Sequence, residues 1–326
     1  MTARILTPSE AGKGASSPVF GDLLFSGLTR LAAITVLLVL GAIGVMLYQG
    51  AQPAFEKFGF WGFVTSAEWN PVTEMFGGLS PTVGTLVSSI IALIFGLPVS
   101  FGIALFITEL APPWLKRPVG TAIELLAAIP SIIYGMWGLF VFAPFFAEHI
   151  QPVLTDTLGE LPVIGVLFQG PPLGISVFTA GIILAIMIIP FIASVMRDVF
   201  ETVPAELRES AFGLGCTTWE VVWHIILPMT RVGVMGGIML GLGRALGETM
   251  AVTFVIGNAH ELHWALFEPG NSIASTIANE FTEADGEIYT AALIALGLLL
   301  FLITFVILAM AKLLLLRMTA REGQKS

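Results

Sequence analysis

The chain has 326 residues, 56% of them hydrophobic and only 11% charged, and a mean hydropathy of +0.91, whereas a soluble domain carries about a quarter of its residues charged. Its 14 basic and 23 acidic residues give a formal net charge of -9, and the acidic excess gathers in loops, so nothing here points to nucleic acid. The single cysteine, Cys216, excludes an internal disulfide and a cysteine-based metal cluster.

In chain order, residues 1–27 read as a polar tail whose first twenty, rich in Ser, Gly, Ala and Pro, are expected to be disordered. Six apolar runs follow, each able to cross about 30 Å of hydrocarbon at about 1.5 Å per residue. They lie near Leu31–Tyr48, Val83–Ile107, Val119–Phe146, Leu173–Val195, Val232–Ile256 and Ala291–Ala311. The first lacks a small-x-small cleavage site and is read as a retained helix. The fold class is an all-α integral membrane protein. Residues 28–82 hold the first span and a loop, 83–316 the core, 196–231 the long internal connection, and 317–326 a second tail.

Basic residues set the orientation. Arg4, Lys13, Arg30, Lys116, Arg117, Arg197, Arg208, Arg231, Lys312, Arg317, Arg321 and Lys325, twelve of the fourteen, fall on one side; Lys57 is opposite and Arg244 lies inside a span. By the positive-inside rule both termini are expected in the cytoplasm. The last external loop is acidic, with Glu261, Glu268, Glu280, Glu283, Asp285 and Glu287.

The long connection has its own order. Pro204 suits the first turn of a helix and Gly213 or Gly215 its end; Thr217 and Glu220 form a capping box that opens a second helix, which Pro228 is expected to close. A short helix with apolar and charged residues between two spans suits docking, or lies in the membrane interface. No phosphate-cradling G-x-x-x-x-G-K-[ST] loop exists: the only Gly-Lys pair, Gly12-Lys13, is followed by Gly14. Gly241-x-Gly243 has its next glycine, Gly247, one position too late for a dinucleotide fingerprint. His260 and His263 supply at most two metal ligands and are expected to be a solvated loop pair.

Glu209-Ser210-Ala211, three residues, Gly215, nine residues and Ile225-x-Leu227-Pro228 resemble the EAA loop of permeases of bacterial ABC importers, with serine for the first alanine. The runs Thr108–Phe140 and Leu240–Asn258 resemble the permease subunit of phosphate-specific importers of this superfamily, and the similarity covers nearly the whole chain after the tail. The resemblance implies the type I importer permease fold in the bacterial inner membrane, with 83–316 as permease core and 196–231 as coupling loop. It implies a transport subunit rather than an enzyme, moving inorganic phosphate inward. Its expected partners are a second related permease, two ATPase subunits and a periplasmic phosphate-binding protein, besides membrane lipid. No cofactor is expected in this chain; ATP and magnesium belong to the partner ATPase. Glu209, Ser210, Ala211 and Gly215 would form the coupling contact. Importers of sulfate or molybdate, and a proton-coupled transporter using Glu248, stay open as alternatives.

The stretch Gly236–Val252 puts Arg244 and Glu248 among apolar residues, where a charge costs about 3 kcal/mol on insertion scales. At about 100° per residue from Gly233, Gly237 falls near 40°, Gly241 near 80°, Arg244 near 20° and Glu248 near 60°. Gly233, Gly237 and Gly241 thus form a face for close helix approach, while Val234, Met235, Ile238, Met239, Leu242, Leu246 and Met250 occupy the greasy opposite half. Leu240 is the exception on the small face. Arg244, read as midway along its span, either pairs with Glu248 or contacts phosphate. Ser131 follows Pro130, whose missing N–H frees a carbonyl beside Tyr134, and both side chains are candidates for the path. Glu124 is read as a carboxylate near the start of the third span, and Phe140, Phe142, Phe145 and Phe146 as lipid or packing surface.

Overall fold

A computed structural model describes residues 20–162 and 164–322, and side chains up to residue 317. The tail to residue 19, with Arg4 and Lys13, the Arg321 side chain and Lys325 lie outside the described residues. The chain divides into two units, 1–46 and 47–326. The first contributes the opening of α1 (Phe20–Phe58), which starts well before residue 28 and displays Leu31, Val36, Leu37 and Leu38 on its surface.

The second unit continues α1 from Leu47 and adds α2 (Phe60–Thr65) and a small antiparallel hairpin, β1 (Trp69–Asn70) and β2 (Met75–Phe76). Then come α3 (Leu79–Leu105), prolonged by a π-helical turn Phe106–Leu110, and α4 (Pro113–Ala127). A continuous helical run is built from α5 (Ser131–Trp137), α6 (Ala143–Phe145) and α7 (Gln151–Leu158), joined by π turns. Next are α8 (Val177–Glu201), α9 (Ala205–Gly213), α10 (Thr218–Val221), α11 (Leu227–Leu246), α12 (Met250–Val255), α13 (Ile273–Glu280) and α14 (Glu287–Glu322). Among the described residues, six helices are long and apolar enough to cross a membrane. The most deeply buried, α8, packs on α3, α4, α11 and α12 through Ile183, Leu184, Ile188, Ile192 and Met196. Gly96 and Gly181 permit the α3–α8 approach, since a Cβ at Gly181 would lie 2.5 Å from Ile91.

The first span is longer than Leu31–Tyr48 at both ends, the fourth runs Val177–Glu201 rather than Leu173–Val195, and the third and fifth are displaced along the chain. The third starts at Ser131, because Pro130 cannot donate to the Leu126 carbonyl and drives its predecessor out of the α region. Residues 113–127 become a separate helix, so Glu124 is not a span-start carboxylate; it accepts from Arg197 Nη2 on α8 at 2.9 Å. The fifth runs from Thr218 to Leu246. Its capping box forms as expected, but Pro228 does not close the helix: the π turn Val222–Ile226 lies just upstream, where widened backbone spacing accommodates the ring. The glycines at 243 and 247, poor helix formers, bring its end forward to Leu246.

His260 is also not the solvated group expected. Its Nε2 lies 2.7 Å from Glu280 Oε1, and its ring stacks on Trp69 at 5.4 Å. Glu280 Oε2 accepts from Trp69 Nε1 at 2.8 Å and from Tyr289 Oη at 2.7 Å. His263 fits the reading better, being exposed and 3.3 Å from Glu261. Burial pushes the Glu280 carboxyl up, but the bonds from His260, Tyr289 and Trp69 outweigh it and hold it below the ordinary carboxylate range. A depressed carboxylate stabilises fully above its unfolded pKa, near 4.3, and that contribution vanishes as pH falls through the lower folded value. The thermal midpoint of the purified subunit should therefore fall on acidification from about pH 5 to pH 3, less steeply in Glu280→Gln. Parallel acid profiles would show that the carboxylate contributes nothing.

Candidate functional site

Arg244 occupies the last turn of α11, not the middle of a span. The helix has ended before Glu248, so the continuous stripe that joined them breaks there. Glu248 Oε1 instead accepts from the Ala251 N–H at 3.2 Å, at the start of α12, and no ion pair links it to Arg244 among the described residues. The Arg244 guanidinium lies over the Phe191 ring of α8, 5.7 Å from its centroid, and its Nε is buried without a hydrogen-bond partner.

Tyr134 is held by the geometry that Pro130 creates. Its hydroxyl donates at 3.0 Å to the Leu126 carbonyl, the group Pro130 cannot serve. Ser131 opens the same helix one turn earlier. α5 approaches α12 at Gly135, where a Cβ would stand 2.9 Å from Ala251 Cα. α8 and α11 thus bring Phe191 and Arg244 together, while α5 and α12 also pack on α8. An aromatic wall beside a cation without a carboxylate partner suits an anion with several oxygens. Phe191 escaped the sequence reading because a lone phenylalanine in an apolar run carries no signal of its own.

The glycine face meets α8 of the same chain. A Cβ at Gly233 would stand 2.6 Å from Val199, one at Gly237 3.3 Å from Val195, and one at Gly241 would overlap Ile192. The greasy half is not uniformly outward: Leu246 is 1% exposed, while Leu240 on the small face is 55% exposed.

On α9, Glu209 and Ser210 are exposed, Ala211 is buried in the core, and Ser210 Oγ donates to the Glu206 carbonyl at 2.6 Å. Gly215 turns the chain at φ +89 with open space around it, and Cys216 N–H donates back to Ala211 at 3.1 Å. Leu207, Phe212, Leu214 and Trp219 are exposed beside it. The sequence reading missed what seats this helix. Arg208 Nη2 donates to the Phe200 carbonyl at 2.6 Å and stands 3.4 Å from Glu109 Oε1, whose side chain is 6% exposed. Opposite charges a hundred positions apart give no local pattern. Arg208→Ala should leave Glu109 buried without its cation, costing about 3 kcal/mol and loosening α9. Limited proteolysis across residues 202–217 should then be faster; an unchanged cleavage rate would refute the seating role.

The family model for the binding-protein-dependent transport system inner membrane component matches residues 96–320. The chain belongs to this permease family. It is 62% identical over 304 residues to the phosphate transport system permease protein PstC of Pasteurella multocida, covering 93% of this chain and 94% of the relative. It is 56% identical to that of Mesorhizobium japonicum, with 93% and 92% covered, and 37% identical to the probable one of Methanocaldococcus jannaschii, with 86% and 89% covered. Its fold is similar to that of a crystallised bacterial ABC transporter involved in import of the acidic polysaccharide alginate, with TM-score 0.56, 22% identity, and 90% of this chain and 98% of the other covered. A bacterial alginate ABC transporter in complex with alginate pentasaccharide-bound periplasmic protein also gives 0.56, at 21% identity, covering 90% and 96%. This permease is a multi-pass inner-membrane protein and a transport subunit of an ABC system.

Proposed function

We propose that this permease carries inorganic phosphate across the inner membrane into the cytoplasm, powered by ATP hydrolysis in partner subunits. The observation that carries the reading is Arg244: a permanent cation with a buried, unpartnered Nε, lying over the Phe191 ring of α8. A guanidinium can grip two oxygens of a tetrahedral anion. The names borne by close relatives support phosphate over sulfate or molybdate.

In this reading both termini lie in the cytoplasm and α9, with Glu209, Ser210, Ala211 and Gly215, seats an ATPase subunit holding ATP and magnesium. A second related permease completes the path, and a periplasmic phosphate-binding protein delivers the substrate. The deciding experiment is uptake of labelled phosphate by the purified complex in proteoliposomes, with excess sulfate or molybdate as competitors. Phosphate uptake that depends on ATP and resists both competitors is expected; competition by either anion, or uptake without an ATPase subunit, overturns the assignment.

Gly215 provides a separate check on the docking surface. Valine there meets no neighbour but must adopt a left-handed backbone, costing about 1–2 kcal/mol and reshaping the turn. Gly215→Val should insert normally yet retain less ATPase on co-purification. Full ATPase recovery with normal uptake would count against docking at this turn.

A further inference from the structure

We infer that Glu280 is a clasp that keeps the segment 257–280 seated in the helix bundle, and that its release is a step of the transport cycle. Three donors from three elements converge on one carboxylate: Trp69 from β1, His260 from the loop after α12, and Tyr289 from α14. The buried part of the segment that they restrain is residues 270–276. Asn271, Ser272, Ile273, Ser275 and Thr276 are all at most 3% exposed. The Asn271 carbonyl fills the space a Cβ would take at Gly84 of α3, and Ile273 N–H donates to Thr85 Oγ1 at 2.9 Å. The neck is closed by Gly270 N–H donating to Ile256 at 2.9 Å and Ala259 N–H to Gly270 at 3.0 Å.

The polarity of the clasp follows from its partners. Asn271 Oδ1 accepts from Ser272 N–H at 2.8 Å and from Ser275 Oγ at 2.7 Å, which fixes oxygen on that side and the amide NH2 on the other. That NH2 faces His260 Nδ1 at 3.2 Å, so Nδ1 accepts and the Nε2–H donates to Glu280. One directed chain of hydrogen bonds therefore links the carboxylate to the cap of α13. Breaking it at Glu280 releases the cap. The transport half of the inference rests on the reading of this chain as a permease.

The direction of the chain supplies the test. In Glu280→Gln the oxygen serves Trp69 and Tyr289, so the NH2 points at His260 Nε2, forcing its proton to Nδ1 against the Asn271 NH2. Adding Asn271→Asp supplies an acceptor there, reverses the chain and restores the net charge. The reporter is Ala274→Cys, a 7% exposed position, in a Cys216→Ser background, with thiol labelling of the purified complex in nanodiscs so that both faces are accessible. Glu280→Gln should label about tenfold faster than the parent, and the double variant at near the parent rate. In the parent, ATP turnover with substrate-loaded binding protein should accelerate labelling about tenfold over rest. Equal labelling of Glu280→Gln and parent, or a double variant no slower than Glu280→Gln, overturns the clasp; unchanged labelling during turnover overturns its release in the cycle. Tyr289→Phe, which deletes one donor but keeps the ring stacked on Phe76, answers for a Glu280→Gln chain that fails to accumulate: faster labelling supports the clasp and the parent rate overturns it. Labelling does not depend on which solute is carried, so failure of the phosphate assignment registers in uptake alone.

Discussion

Arg244→Gln is expected to lower phosphate uptake by at least about a hundredfold in a complex that still assembles, because a charge-assisted bidentate contact contributes several kcal/mol once desolvated. The alternative, a mutually neutralising pair with Glu248, predicts that the double change to glutamine at 244 and 248 restores both assembly and uptake. The geometry favours the first outcome. Glu248 is already engaged with the α12 backbone, and Arg244 lies over Phe191 with its Nε unpartnered. Removing Glu248 therefore relieves nothing at Arg244, and the double variant should assemble yet transport as poorly as Arg244→Gln. Lysine at 244 keeps the charge but loses the planar fork and should retain partial activity. Uptake and complex yield for the parent, both singles and the double decide the matter; a double variant at the parent rate would exclude a phosphate contact.

Gly241→Leu should stop the subunit from accumulating at all. A Cβ at 241 already collides with Ile192, and four extra carbons at a seam between two buried helix faces cost about 3 kcal/mol or more. The failure should lie in this chain's own fold rather than in pairing with a second permease, because α8 of the same chain fills the glycine face. Gly236→Ala, where nothing lies within 4 Å, should be nearly silent. Membrane yield and the midpoint of detergent unfolding measure both; comparable loss from the two would discredit the assignment of faces.

Much of the architecture was legible because it is written locally. Runs of twenty apolar residues, a capping box at Thr217, and glycines four apart each declare themselves within a few positions. The boundaries that failed involve prolines and glycines whose effect depends on what surrounds them: Pro130 ends a helix while Pro228 is absorbed by a π turn. Within the site, Arg244 stood out by its cost in an apolar run, but the wheel that joined it to Glu248 assumed a helix that stops at Leu246. Phe191, Glu109 and the Glu280 network depend on residues distant in sequence, which no single-chain periodicity records.

The π turn at Val222–Ile226 sets how α11 is aimed. One surplus residue per turn advances everything downstream by about 100°. The turn therefore works as a phase shifter, setting the azimuth of the glycine seam and of Arg244 independently of the direction in which Thr217 launches the helix. Deleting a single residue from 222–226 would leave every downstream side chain chemically intact, yet swing Gly241 off Ile192 and Arg244 off Phe191.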